Sequence, residues 1–280
     1  VDAAGRVLVL RRPPLGHVLE SAHDMSCEHK IIAALAGSNV PVAPALGLCM
    51  DISVNDAPFY LMEFVDGTVL VDAIAAGALT PAERASIGRD VIEVLCNLHT
   101  IDVDSVGLGD LGRRAAYLDR QLRRWTKQWE DSKTGELPVM DDVTQLLAEQ
   151  KPVQVGFAIV HGDYRLGNMI VRNGALRAVL DWELCTLGDP LADVGYLLNS
   201  WGGLEALVED GAGQGPVTVG GFPDRAELSA AYASGTGRDL SCINYYRAFS
   251  HWRLAAIGQG VCKRYLVGAM GTNRDFDLDS

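Results

Sequence analysis

Apolar and polar positions alternate early in the chain and then settle into helical spacing, and the order of these rhythms sketches a fold. Arg6-Val7-Leu8-Val9-Leu10-Arg11-Arg12 alternates and stops at Pro13-Pro14, which predicts a strand after a turn at Ala3-Ala4-Gly5. Residues 26–35 carry apolar side chains at helical spacing and predict a helix ending near Gly37. Pro41-Val42-Ala43-Pro44 breaks the chain, and strands are predicted over 45–50 and 59–65. Thr80 and Pro81 are the residue types of an N-cap and a first helical position. The helix they open runs from Ala82 to His99 with Ile87, Val91, Val94, Leu95 and Leu98 as its stripe, and His99 at its end is expected to be structural. Residues 107–112 read as a loop. Leu118, Leu122, Trp125 and Trp129 share one helical face within 113–129, and a short helix is predicted around 142–149.

Two short strand-like runs follow, Ile159-Val160 and Met169-Ile170-Val171, separated by a tight polar loop. Asn173-Gly174 turns the chain into a third run, Ala178-Val179-Leu180. A helix is predicted from Asp189-Pro190 to Leu198, and closing helices over 227–234 and 241–266. Residues 202–222 are rich in Gly and acidic side chains, show no period, and are expected to form a mobile loop. There is no internal repeat and no heptad array.

Composition narrows the class. With 280 residues and 48% hydrophobic side chains, the chain can bury the core of one large or two modest domains. No run of 18 apolar residues and no basic-then-apolar start occurs, so neither a membrane span nor a secretory signal is expected. Six scattered cysteines without metal-type spacing suit reduced thiols and a cytoplasmic location. A net charge of -12 argues against nucleic acid as the main partner. Against that background, 113–129 places six basic residues against one Asp, which reads as a solvated helix face or as a site for an anionic group.

The polar loop carries the chemistry. His161-Gly162-Asp163 opens it, Asn168 closes it, and Asp181-Trp182-Glu183 follows the next strands. One Asp, one Asn and a second Asp at strand ends are what metal-assisted phosphoryl transfer requires. One carboxylate takes the proton of an attacking hydroxyl, while an amide oxygen and the other carboxylate hold the metal. Each residue singly could only cap a turn; the ordered set favours chemistry.

This spacing resembles the kinase superfamily, with Gly162 where protein kinases carry Arg and Asp181-Trp182-Glu183 where they carry D-F-G. With Gly188-Asp189-Pro190-Leu191-Ala192-Asp193, it is similar to the aminoglycoside phosphotransferase-like branch. The words Val9-Leu10-Arg11-Arg12-Pro13-Pro14 and Ala22-His23-Asp24 resemble the subgroup of kinase-like domains associated with acyl-CoA dehydrogenases. The resemblance implies an α+β, bilobal protein-kinase-like fold, with a small sheet-containing lobe over 1–65 and a larger, mainly helical lobe over 66–280. It implies ATP and Mg2+ as cofactors, Asp163 as catalytic base, and Asn168 and Asp181 as metal ligands. Arg11 falls where the phosphate-binding Lys belongs, with Glu28 as its helix-borne partner and Arg12 as an alternative. The backbone C=O of Glu63 and N–H of Val65 are expected to pair with adenine, and Ile170 to floor its pocket. Asp193 is expected to tie the catalytic loop down, and His161 to brace it. A glycine-rich phosphate-covering hairpin belongs ahead of the Arg11 strand on this resemblance, and the chain, which starts at Val1, contains none.

The acceptor is expected to be a small hydroxylated molecule, with neither nucleic acid nor membrane as partner; the oligomeric state is open. An anionic, hydroxyacyl-CoA-like acceptor suits Arg120, Arg123 and Arg124. A polycationic aminoglycoside would instead suit Glu205, Glu209, Asp210 and Asp224. A nucleotide-binding pseudokinase is the third reading.

Overall fold

In the computed structural model, which describes residues 5–13, 24–202 and 215–266, small antiparallel sheets carry the site and helices pack around them. The first sheet is built from β1 (Leu8–Arg11), then, after helix α1 (Met25–Leu35), from β2 (Ala45–Cys49), and, after a single turn α2 (Ile52–Asn55), from β3 (Phe59–Glu63). Its order is β1-β3-β2, with Arg11 opposite Tyr60 and Leu8 opposite Glu63. Asp24 caps α1 by accepting from the N–H groups of Ser26 and Cys27. Ile31, Ile32 and Leu35 are the buried side of that helix, and Glu28 on the same side is also buried. The strand predicted over 6–12 is therefore shorter than its alternation, and its partner is β3. The turn expected at Ala3-Ala4-Gly5 lies mostly outside the described residues.

β4 (Thr68–Val69) and α3 (Ala73–Gly77) lead into α4 (Pro81–Thr100). Thr80 and Glu83 form the reciprocal capping box that Pro81 at the first helical position also favours. Ile87, Val91, Leu95 and Leu98 are completely buried, each stabilising the fold by about 1.5–3 kcal/mol relative to exposure. α5 (Tyr117–Ser132) and α6 (Pro138–Glu149) follow, and α5 buries Leu118, Leu122, Trp125 and Trp129 as its stripe predicts.

Much of the basic face of α5 is committed locally. Arg120 donates to the carbonyls of Ala115, Arg113 and Leu187, Arg124 lies over the Trp125 ring, and Lys127 pairs with Asp131. Arg113 and Arg123 remain exposed.

β5 (Ala158–Val160), β6 (Met169–Arg172), β7 (Ala175–Val179) and β8 (Thr186–Gly188) frame the polar loop. β6 and β7 form the hairpin expected from Asn173-Gly174, both at positive φ, with β4 on its other edge. β8 returns antiparallel to β5, a pairing the sequence does not foretell because three residues carry no period. Three helices close the described fold: α7 (Leu191–Ser200), α8 (Arg225–Thr236) and α9 (Ile243–Leu266). α9 packs on α7 and α5, and α8 on α4. Most of the stretch expected to be mobile, and the carboxylates Glu205, Glu209 and Asp210, lie outside the described residues.

Candidate active site

The loop from His161 to Asn168 is held from behind by buried polar groups. Asp193, near the start of α7, accepts the N–H of His161 at 2.7 Å and that of Gly162 at 2.9 Å. His99, at the end of α4, lies with Nε2 3.3 Å from the same carboxylate and Nδ1 2.7 Å from the Tyr232 hydroxyl. Burial works to raise the Asp193 carboxyl, but the His99 contacts and the backbone N–H of Gly162 bring it below the usual carboxylate value. Burial holds His99 below its usual value. Arg253 of α9 donates to the Gly162 carbonyl at 2.6 Å. His161 donates from Nε2 to the Leu180 carbonyl and accepts the Asp163 N–H at Nδ1, so its ring braces the loop, as expected, and serves both sides of it.

Gly162 explains its own identity. Its φ is +88°, and a Cβ there would lie 2.8 Å from Leu184 Cβ and 2.9 Å from Leu184 O. Gly162→Ala is therefore expected to cost roughly 1–3 kcal/mol, read as a lower urea midpoint; an unchanged midpoint would show that the 182–184 turn yields freely.

The held loop presents Asp163 and Asn168 together. Asn168 donates through Nδ2 to the Asp163 carbonyl at 2.9 Å and to Asp163 Oδ2 at 2.6 Å. Arg165 Nε lies 3.3 Å from Asp163 Oδ1. Asp163 is thus oriented at both oxygens while one fifth of its side chain stays accessible. The backbone bond from Leu180 N–H to the Asn168 carbonyl, 2.8 Å, sets the chain entering Asp181 beside Asn168.

Asp181 has φ +64°, a left-handed conformation that costs a non-glycine residue about 1 kcal/mol or more and concentrates at functional sites. Trp182 anchors the turn that follows, buried against His161 at 4.7 Å between centroids and donating to the Val179 carbonyl. Glu183 comes next, and Arg11 of β1 ties this turn to Glu28 of α1. Its Nε donates to Glu28 Oε2 at 3.3 Å, and its Nη2 reaches Asp181 Oδ1 at 3.2 Å and Glu183 Oε2 at 3.4 Å. Tyr60 also donates to Glu28 Oε2, at 3.0 Å. Burial raises the Glu28 carboxyl, opposed by the charge of Arg11. Arg12 instead bonds Asn55, so Arg11 is the arginine aimed at the site.

The remaining expected residues lie on the connection between the sheets. Ile170 stands on β6 on the face opposite buried Met169 and Val171, with Gly67 close above its side chain. The Glu63 N–H is used by Pro44, whereas the Val65 N–H has no partner among the described residues.

Sequence reasoning missed Glu183, Tyr60, Arg165, Arg253 and the link from His99 to Asp193. Glu183 and Arg165 carried a local signal, the first as the second carboxylate of Asp181-Trp182-Glu183 and the second as a cation two residues from Asp163 in the same loop.

Among the described residues no group of three or more His, Cys, Asp or Glu forms a metal cage. The donor set nevertheless suits Mg2+. Asn168 spends its Nδ2 on Asp163, which leaves Oδ1 as acceptor, and about a third of the Asp181 side chain is accessible. One carboxylate and one amide oxygen, completed by nucleotide phosphates, is a usual way to hold this cation.

The arrangement has relatives. The model of the phosphotransferase enzyme family matches residues 1–229. Acyl-CoA dehydrogenase family member 10 of Mus musculus is 40% identical over 277 residues, covering 96% of this chain and 25% of the relative. Family member 11 of Homo sapiens is 34% identical, covering 96% and 35%. The chain thus spans a quarter to about a third of these curated relatives. A crystal structure from Ralstonia eutropha JMP134, provisionally described as an aminoglycoside phosphotransferase, is 38% identical with a TM-score of 0.79, covering 94% of this chain and 79% of that one. An aminoglycoside-3'-phosphotransferase of type VIII, at 15% identity and a TM-score of 0.62, shares the fold. The chain belongs to the phosphotransferase enzyme family and has the kinase-like fold of the aminoglycoside phosphotransferases.

Proposed function

We propose that this protein transfers the γ-phosphoryl group of ATP to a hydroxyl group of a small molecule, and that the acceptor is anionic, of the hydroxyacyl-CoA kind. The observation that carries the phosphotransfer reading is the convergence of Arg11, Glu28, Asp163, Asn168 and Asp181 from separate elements. Asp163 receives the acceptor proton as the P–O bond to the acceptor forms and the bond to ADP breaks. Its carboxylate is aimed by Asn168 and Arg165, so little reorientation is needed. Arg11 contacts the non-transferred phosphates, the Glu63 carbonyl and Val65 N–H take the adenine edge, and Ile170 packs beneath the ring. Mg2+, held by Asn168 and Asp181 when bound, supplies charge neutralisation on the phosphates. In this reading residues 1–65 form the nucleotide lobe and 66–280 the catalytic and acceptor lobe.

The acceptor assignment rests on two supports. Curated relatives carry acyl-CoA dehydrogenase names, which points to acyl-CoA metabolites. The basic N-terminal end of α5 also adjoins β8, the strand that follows the Asp181 turn, through Arg120 and the Leu187 carbonyl. An aminoglycoside acceptor is the second reading, favoured by the description of the Ralstonia eutropha structure. A cytoplasmic location belongs to the proposal, supported by six free cysteines; no described helix is long and apolar enough to cross a membrane.

ATP consumption across hydroxyacyl-CoA thioesters, aminoglycosides and sugars tests the reading. The expected result is turnover with a hydroxyacyl-CoA. Because Arg120 is spent on carbonyls, the charge test uses Arg113→Gln with Arg123→Gln. Removing two exposed charges should raise KM for an acyl-CoA and flatten its salt dependence. Turnover of aminoglycosides alone would reverse the acceptor assignment.

A further inference from the structure

Arg11 is outnumbered by the carboxylates around it. Glu28, Asp181 and Glu183 bring three negative charges to one guanidinium, an excess of two. Its pairing with Glu28 is also incomplete. Glu28 is 2% exposed, and its Oε2 takes both Arg11 and Tyr60 while its Oε1 has no hydrogen-bond partner. A guanidinium and a carboxylate are matched for two parallel bonds. Arg11 makes one, because its Nη2 is turned toward Asp181 and Glu183 instead. The oxygen that Nη2 reaches belongs to the carboxylate assigned to Mg2+.

We propose that Arg11 is a positioning residue that guards the metal position. Its Nη2 holds Asp181 Oδ1, so a divalent cation can take that oxygen only after Arg11 has moved off it. Arg11 leaves Asp181 when nucleotide phosphates, together with the unused oxygen of Glu28, offer it a better set of partners. Two features of this chain make the guard work. The left-handed turn at Asp181 sets Asp181 and Glu183 against the same Arg11 nitrogen, and an arginine has separate N–H groups that hold Glu28 and Asp181 at once. Divalent metal and nucleotide then load together, and free metal does not occupy the site alone. This inference rests on the proposed role of Asp181 as metal ligand.

The test uses Mn2+ binding to the nucleotide-free chain, followed by the free-ion electron paramagnetic resonance signal. Arg11→Met should bind Mn2+ about tenfold tighter than the wild type, a difference of about 1.4 kcal/mol. Arg12→Met removes a neighbouring charge that is bonded to Asn55 and should change nothing. Adding Asp181→Asn to Arg11→Met should abolish the gain. If Arg11→Met folds poorly because Glu28 is left buried without its partner, Arg11→Met with Glu28→Gln removes both charges and should show the same gain. Unchanged affinity in the folded variants, an equal gain in Arg12→Met, or a gain that survives Asp181→Asn would each overturn the guard. A parallel titration with Mn2+ and ADP separates the two levels. If Asp181→Asn in the otherwise native chain leaves metal–nucleotide binding intact, the metal role of Asp181 fails and the guard with it. If it weakens that binding while Arg11→Met gives no gain, the guard alone fails.

Discussion

Asp163→Asn is expected to lower kcat by about 10²- to 10⁴-fold, with nucleotide affinity nearly unchanged. The substitution is close to isosteric, and the new amide can still turn its oxygen toward Asn168 Nδ2, so the 2.6 Å contact that orients the side chain has a replacement. What disappears is an acceptor for the proton of the attacking hydroxyl. Arg11, Glu28, Asp181 and the Val65 N–H, where nucleotide contacts are proposed, are untouched. The two halves of the prediction are therefore separable by single-turnover kinetics and by calorimetric titration with nucleotide. Near-native kcat would remove Asp163 from the role of base. A parallel loss of nucleotide affinity would make it a structural residue of the loop.

Asp193→Ala is expected to destabilise the protein by roughly 3–5 kcal/mol, because it strips the acceptor from buried donors on three sides. The N–H groups of His161 and Gly162 and the ring of His99 would face a cavity that water cannot readily serve. In a chain of this size that corresponds to a fall in Tm on the order of 10 °C. Activity should fall further than stability accounts for, since the loop carrying Asp163 loses the clamp that sets its height. Scanning calorimetry and kcat measured well below Tm distinguish the two effects. A Tm within 2 °C of native, about the shift of a weak surface contact, would show that Arg253 and the His161–Leu180 bond hold the loop unaided.

The same cluster sets a pH dependence. His99 lies below its ordinary value of 6.5 because it is buried, so on acidification the unfolded chain takes up this proton first. Its contribution to stability is complete above about pH 6.5 and declines as pH falls toward the folded value. Asp193 is also depressed, so its contribution is present above 3.8 and lost below that. Burial raises Glu28 and Asp189, and these work in the opposite sense in the acid range. The comparison that isolates His99 is therefore the slope of the urea midpoint between pH 7 and 5.5 in the wild type and in His99→Gln. The slope should be shallower in the variant.

Local information reaches a definite depth in this protein. The helices were legible because their stripes repeat within one or two turns: Ile87 through Leu98 on α4, and Leu118 through Trp129 on α5. Thr80-Pro81 and Asn173-Gly174 were legible because capping and tight turns depend on residues two or three apart. Asp163 and Asn168 were legible for the same reason: they lie five positions apart, and they touch. The resemblance also pairs Arg11 with Glu28, and the two are in contact.

What tertiary structure alone decided are the contacts whose partners lie far apart in the chain. β8 found β5, Asp193, which the resemblance already ties to the loop, also found His99, and Arg253 reached Gly162 from 91 residues away. None leaves a periodic trace, because each such contact constrains only the residues it joins and nothing between them. The direction of Arg11 belongs to this second class. Its charge and its strand could be read in order along the chain. Its turn toward Asp181 and Glu183, away from the second oxygen of Glu28, depends on where a left-handed turn 170 residues later sets two carboxylates.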